Sequence, residues 1–198
     1  MGRRSDARDR LITSASQLFR ERGFSSVGVA QLCETAGVNK GSFYHFFPSK
    51  RELLIEVLAR AWDETGLLGS WEEAPPERPI QELRRYLQEL FAQHYADREA
   101  SGRVHGSLVA SVALELGSHE PVIAQQVNEL LDREVQAFAA LLTRAADLGE
   151  VALNNPHDSA RAIVACLHGL LMLAKAKNDL QVLPGAEQDL LRLAGVET

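Results

Sequence analysis

Residues 33–50, CETAGVNKGSFYHFFPSK, read as two short helices joined by a glycine turn, the second presenting a polar outer surface. Gly37 falls where the first helix must stop, since a residue without Cβ enters the left-handed region of a sharp turn at little cost. Cys33, four residues earlier, is small enough to let the second helix cross closely. Asn39 is placed to cap that helix by accepting a backbone N–H bond. Phe43, Phe46 and Phe47 then recur at helical spacing and anchor an inner face, leaving Lys40, Gly41, Ser42, Tyr44 and His45 outside. A helix-turn-helix with such an outer face points to DNA, because a helix laid in the major groove brings side chains to base edges.

The flanking sequence extends this unit. Leu11, Ile12, Ala15, Leu18 and Phe19 make one apolar face of a helix expected over Asp6 to Arg22. After the quoted stretch, Ser49-Lys-Arg-Glu52 has the form of a capping box opening a helix through Leu53, Leu54, Val57, Leu58 and Ala61 to about Leu68. That helix is long enough to serve as a mechanical link out of the unit.

Gly-Val-Asn-Lys-Gly-Ser-Phe-Tyr-His-Phe-Phe-Pro-Ser-Lys, residues 37–50, resembles the recognition-helix signature of the TetR/AcrR family of bacterial repressors. The likeness covers roughly the first sixty residues. It implies an all-α protein with an N-terminal three-helix DNA-binding domain, residues 1–48, and a larger helical effector-binding and dimerisation domain, residues 49–198. Two departures stand out. Val27-Gly28 replaces the Thr or Ser that often begins the second helix, so Gly28 caps without a side-chain phosphate contact, and Asn39 replaces the commoner Ser. Ser101-Gly-Arg-Val-His-Gly-Ser-Leu108 resembles a motif in which some members carry an electrophile-sensing cysteine. Arg103 stands at that position here, so thiol sensing is not expected and an anionic effector would suit the arginine.

The chain's net charge of -6 is unevenly spread. Residues 1–60 hold ten Lys and Arg against six Asp and Glu, giving +4, while residues 61–198 hold eleven against twenty-one, giving -10. The basic end is also the motif end, as suits a DNA-binding head on an acidic body that phosphate repels. No run of eighteen apolar residues occurs, and the Arg-rich start lacks a signal peptide's apolar stretch, so a cytoplasmic protein without membrane attachment is expected. Cys33 and Cys166 lie in apolar helical patterns and read as reduced core thiols.

Beyond the head, residues 71–79 with their three prolines read as a loop, and helices follow at about 79–98, 102–117, 121–148, 156–177 and 185–194. That makes about nine helices and no strand. The helix from Pro156 is apolar around most of its circumference, which asks for two packing partners, one of them a second subunit. Small residues Ala162, Ala165 and Gly169 permit close approach. The resemblance also implies a four-helix dimer interface made by the last two helices, to which Leu191 would contribute.

Lys40, Ser42 and His45 are candidates for base contacts, and Tyr44 and Lys50 for phosphate, with Asn39 and Gly41 completing the DNA-facing set. Arg3, Arg4 and Arg8 would add non-specific contacts. Trp62, Phe91, His94, Arg103, His105, Phe138, His168 and Met172 are candidates to line a mostly apolar effector pocket. No metal-ligand spacing, nucleophile elbow or phosphate-cradling loop is present, so no cofactor or metal and no enzyme activity are expected. The expectation is a homodimeric repressor released from palindromic double-stranded operator DNA by a small molecule. The alternative is a helical small-molecule carrier or enzyme whose head serves protein interaction.

Overall fold

The structure, a computed structural model, describes residues 2–64, 71 and 76–197, the side chains of residues 2–5, 63 and 64 excepted. Among the described residues the regular elements are helices: α1 (Gly2–Arg22), α2 (Val29–Ala36), α3 (Lys40–Phe46), α4 (Lys50–Glu64), α5 (Pro79–Ser101), α6 (Leu108–Leu116), α7 (Pro121–Asp147), α8 (Pro156–Lys177) and α9 (Ala186–Leu193), with a 3₁₀ turn at Leu180–Val182. The expected end of α4 near Leu68, residues 72–75 of the expected loop at 71–79 and the side chains of Arg3 and Arg4 lie outside the described residues. Trp71 itself is helical and 2% exposed, not the first residue of a loop. Its ring packs edge-on against Tyr86 and Phe138 at 5.5 and 5.7 Å, and that burial outweighs the loop signal of the prolines after it.

The chain divides into two compact units, residues 1–64 with 108–127, and residues 65–107 with 128–198. The first is therefore larger than a head ending at residue 48. Its core joins the buried face of α1 (Leu11, Ala15, Phe19) to Leu32 and Cys33 of α2, Phe43 of α3, and Leu53, Leu54 and Leu58 of α4. Leu108, Val112 and Leu116 of α6 and Ile123 of α7 are buried in the same unit. Each Leu, Ile, Val and Phe among them contributes about 1.5–3 kcal/mol of burial free energy. That packing is what holds α3, since a helix of 7 residues is not stable alone.

In the second unit α7 buries Ala137, Phe138, Leu141, Leu142 and Ala145 at helical spacing, with Leu83 and Leu87 of α5 and Ile163, Leu167 and Leu171 of α8 also buried. Residues 102–107 are not the start of a helix. Gly102 N–H closes the last turn of α5 on Arg98 O at 2.7 Å, and Val104 N–H donates to Asn178 Oδ1 at 2.9 Å. Gly102 is left-handed at φ 72°, which ends α5, and the Val104 amide finds its partner in a side chain just past the end of α8 rather than in a new helical turn. Nor is α8 buried all round. It is long and apolar enough to cross a bilayer by length and composition, yet only 33% of its apolar window is buried, and Ala165, Met172 and Leu173 are exposed.

Candidate nucleic-acid interface

The turn between α2 and α3 is built as its residues dictate. Gly37 sits at φ 63°, ψ 40°, and its N–H and that of Val38 return to Glu34 O and Cys33 O at 3.1 and 2.9 Å, satisfying carbonyls that the end of α2 leaves open. Asn39 is extended at φ -84°, ψ 161°, and its Oδ1 accepts the Ser42 N–H at 2.7 Å. A Cβ on Gly41 would stand 3.3 Å from that Oδ1, so a small residue here leaves the cap undisturbed. Burial pushes the Cys33 thiol up, and the nearby Lys40 charge draws it part of the way back.

Inside α3, the buried Phe43 ring meets Phe47 at 6.1 Å. Phe46, expected on the inner face, is only half-buried. Asn39, Lys40, Gly41, Tyr44 and His45 are exposed, Tyr44 at 56%, and Ser42 is half-buried at the start of the helix. The structure thus brings six of the seven DNA candidates onto one short surface.

Lys50 stands apart. Its Nζ donates to Phe24 O at 2.7 Å and Val27 O at 2.8 Å and lies 4.0 Å from the centroid of the Phe24 ring. Burial lowers its pKa, and the charge of Glu115 raises it part of the way back. Two of its three N–H bonds are occupied within the protein, which makes it a brace between α4 and the turn after α1. Arg8 is engaged as well, paired with Glu56 at 2.6 Å and standing 5.4 Å over the Phe47 ring. Spacing along the chain could not show either role, because Lys50 meets carbonyls 26 and 23 residues away.

The eight effector-pocket candidates separate. Trp62 is half-buried in the first unit, and the other seven belong to the second. Phe91, His94, His105 and Phe138 are buried, whereas Met172 is 46% exposed and Arg103 is exposed, so these last two do not line an interior. The His105 ring pairs with Ser101 Oγ at 2.8 Å, a staple of its own turn. His168 is the connected one, with Nδ1 at 2.9 Å from Ser107 Oγ and Nε2 at 2.8 Å from Glu134 Oε2. Beside this chain lies the ring cluster of Trp71, Tyr86 and Phe138. Burial pushes the Tyr86 phenol well up, and the Glu134 charge adds to the shift. Sequence reasoning missed Trp71, Tyr86, Ser107 and Glu134, of which only Tyr86 carried a signal, in the apolar helical register of α5.

Among the dimer candidates, Ala165 is exposed and Ala162 and Gly169 are half-exposed on α8. Leu191 is 0% exposed within its own chain and is corrected to a core residue, while Leu193, two positions on, is 36% exposed. A shift of two residues turns a helical side chain by more than half a circle.

Residues 11–57 match the family model described as bacterial regulatory proteins, tetR family, and residues 79–189 match that of the C-terminal domain of LmrA/YxaF-like transcriptional regulators. The chain is 27% identical over 191 residues to the HTH-type transcriptional repressor NemR of Escherichia coli, covering 91% of this chain and 90% of that protein. It is 30% identical over 177 residues to the transcriptional regulator AcuR of Cereibacter sphaeroides, covering 85% and 76% respectively. The crystal structure of the reduced form of E. coli NemR superposes with a TM-score of 0.80 at 22% identity, over 94% of this chain and 96% of that one. A regulatory protein TetR from Rhodobacter sphaeroides gives 0.78 at 25% identity, over 96% and 97%.

Proposed function

The chain belongs to the TetR family of bacterial regulatory proteins and is a DNA-binding transcriptional regulator, and from that premise we propose that it is a dimeric repressor reading operator DNA with α3. The observation that carries this reading is the capped α2–turn–α3 unit with Lys40, Tyr44 and His45 left exposed on its short second helix. Lys40, Ser42 and His45 reach base edges in the major groove. Tyr44 and the free amide nitrogen of Asn39 fix the register on phosphate. Lys50 holds the frame on which these residues stand.

Dimerisation follows from α8, whose apolar composition exceeds what its own chain buries. A second copy covering Ala165, Gly169 and Leu173, with Leu193 of α9, would remove that surface from water and set two heads against one dyad. The regulator works where the chromosome is, in the bacterial cytoplasm. Its effector is a small, partly apolar molecule received in the second unit, where the Ser107–His168–Glu134 chain supplies polar groups beside the ring cluster of Trp71, Tyr86 and Phe138. Binding there lowers operator affinity to the extent that the molecule prefers the DNA-free arrangement.

Selection of bound fragments from genomic DNA tests the proposal. The expected result is a set of fragments sharing one palindromic sequence, bound against excess competitor DNA. Recovery of fragments with no common sequence would refute it.

A further inference from the structure

Glu115 belongs to α6, more than fifty residues beyond the recognition helix in sequence, yet it closes a turn of the head. Its carboxylate accepts the Phe24 N–H at 2.8 Å and the Ser25 N–H at 2.6 Å, at the link between α1 and α2. Gly23, just before them, has φ +81°, and a Cβ there would stand 3.1 Å from Glu115 Oε2. A left-handed glycine followed by two amides aimed at one point forms a concavity that holds an anion. Lys50 grips the same turn from the opposite side through Phe24 O and Val27 O. Burial pushes the Glu115 carboxyl up, but the bonds from Ser25 and Phe24 and the Lys50 charge outweigh it, holding the group below the usual carboxylate range.

The neighbouring ground is open. A cleft of about 330 Å³ lies against Lys50, Arg51, Leu116, Glu120 and Ile123, crossed by an Arg51–Glu120 pair at 3.2 Å whose partners are 48% and 37% exposed. An exposed pair of that kind adds little. Beside this weak pair, Glu115 from α6 and Lys50 from the start of α4 both fasten the α1–α2 link, through bonds of 2.6–2.8 Å.

We infer that Glu115 is a positioning residue for operator binding: without touching DNA, it fixes the angle between α6 and the recognition unit and so the spacing of the two heads of a dimer. This rests on the dimeric operator reading above. A head folded correctly but held loosely would still fit one half-site. It would fit two half-sites of fixed separation less well.

The test uses the full chain, the operator recovered by genomic selection, and a fragment carrying one half-site only. Glu115→Gln keeps the size but sets an N–H₂ group against a backbone donor, and Glu115→Asp keeps the charge but draws the carboxylate back by one methylene. For Glu115→Gln, affinity for the full operator should fall about tenfold, within the range typical of coupled sites, while half-site affinity changes by less than about twofold. Hydrogen exchange at the Phe24 and Ser25 amides should speed up in the same variant. Equal losses on both fragments would assign Glu115 to folding alone, and no loss on either would remove the role altogether; both overturn the inference. If Glu115→Gln fails to fold, the same comparison is made with Glu115→Asp, with the same outcomes expected and excluded. Wild-type protein that binds the full operator no more tightly than the half-site would instead refute the dimeric reading, and the positioning role with it.

Discussion

Lys50 lies over the ring of Phe24, its Nζ 4.0 Å from the ring centroid, and donates to the carbonyl of the same residue at 2.7 Å. A cation held this way acts first on the protein and only through it on DNA. Lys50→Met should leave two part-buried carbonyls short of a donor and destabilise the fold by about 1–3 kcal/mol in urea unfolding. The dependence of operator affinity on salt should stay as in the wild type, because no phosphate contact is lost. A salt slope reduced by about one would show that the ammonium meets phosphate after all.

The exposed face of α3 predicts a different pattern. Lys40→Ala and Ser42→Ala should each cost about 1–3 kcal/mol at particular operator positions and relax the preference there. Tyr44→Ala should weaken all sequences alike. Affinities over a panel of single-base operator variants make the comparison, and position-specific effects from Tyr44→Ala would reverse the assignment.

Asn39 can be tested without DNA. Its Oδ1 is the cap of α3, so Asn39→Ala should cost about 1 kcal/mol of stability while Asn39→Ser, which keeps an acceptor, costs less. Thermal unfolding of the two variants decides the matter, and equal melting temperatures would deny the cap its energetic role.

Charge on the open face of α8 should separate subunits. Gly169→Glu and Leu173→Glu are expected to sediment as folded monomers with weakened operator binding, since an uncoupled head loses the second half-site's effective concentration. Leu191→Arg should behave otherwise and unfold the second unit, as its side chain is 0% exposed in the single chain. Intact dimers from both α8 variants would place the interface elsewhere.

Acid should loosen the tie at Glu115. Its folded pKa lies below the ordinary value of 4.5, so the tie's contribution to stability is fully present above that value and disappears as pH falls through the folded pKa. The stability difference between wild type and Glu115→Gln should therefore be constant near neutrality and shrink below about pH 4.5. Unfolding curves at stepped pH measure it, and a difference that grows in acid would contradict the sign.

Much of the head could be read from the sequence because its signals are local. Gly37, Asn39 and the spacing of Phe43 and Phe47 each act within a turn or two of the chain, and helix boundaries elsewhere follow Pro79, Pro121 and Pro156 in the same way. What escaped depends on distance or on angle. Lys50 and Glu115 find their partners across 23 to 91 residues, so composition shows a cation and an anion but not what they hold. Leu191 and Leu193 are alike in kind and differ only in the direction each faces. At residues 102–107 the Val104 N–H donates to Asn178, a partner 74 residues away that local spacing does not reveal.

The first unit is assembled from two separated stretches, residues 1–64 and 108–127. A hybrid sensor made by splicing this protein's first 48 residues onto another regulator would leave Glu115 behind, and the transplanted α1–α2 link would meet whatever side chain the recipient places there. Exchange of DNA specificity between relatives is better served by grafting the outer face of α3 alone, or by moving both stretches together.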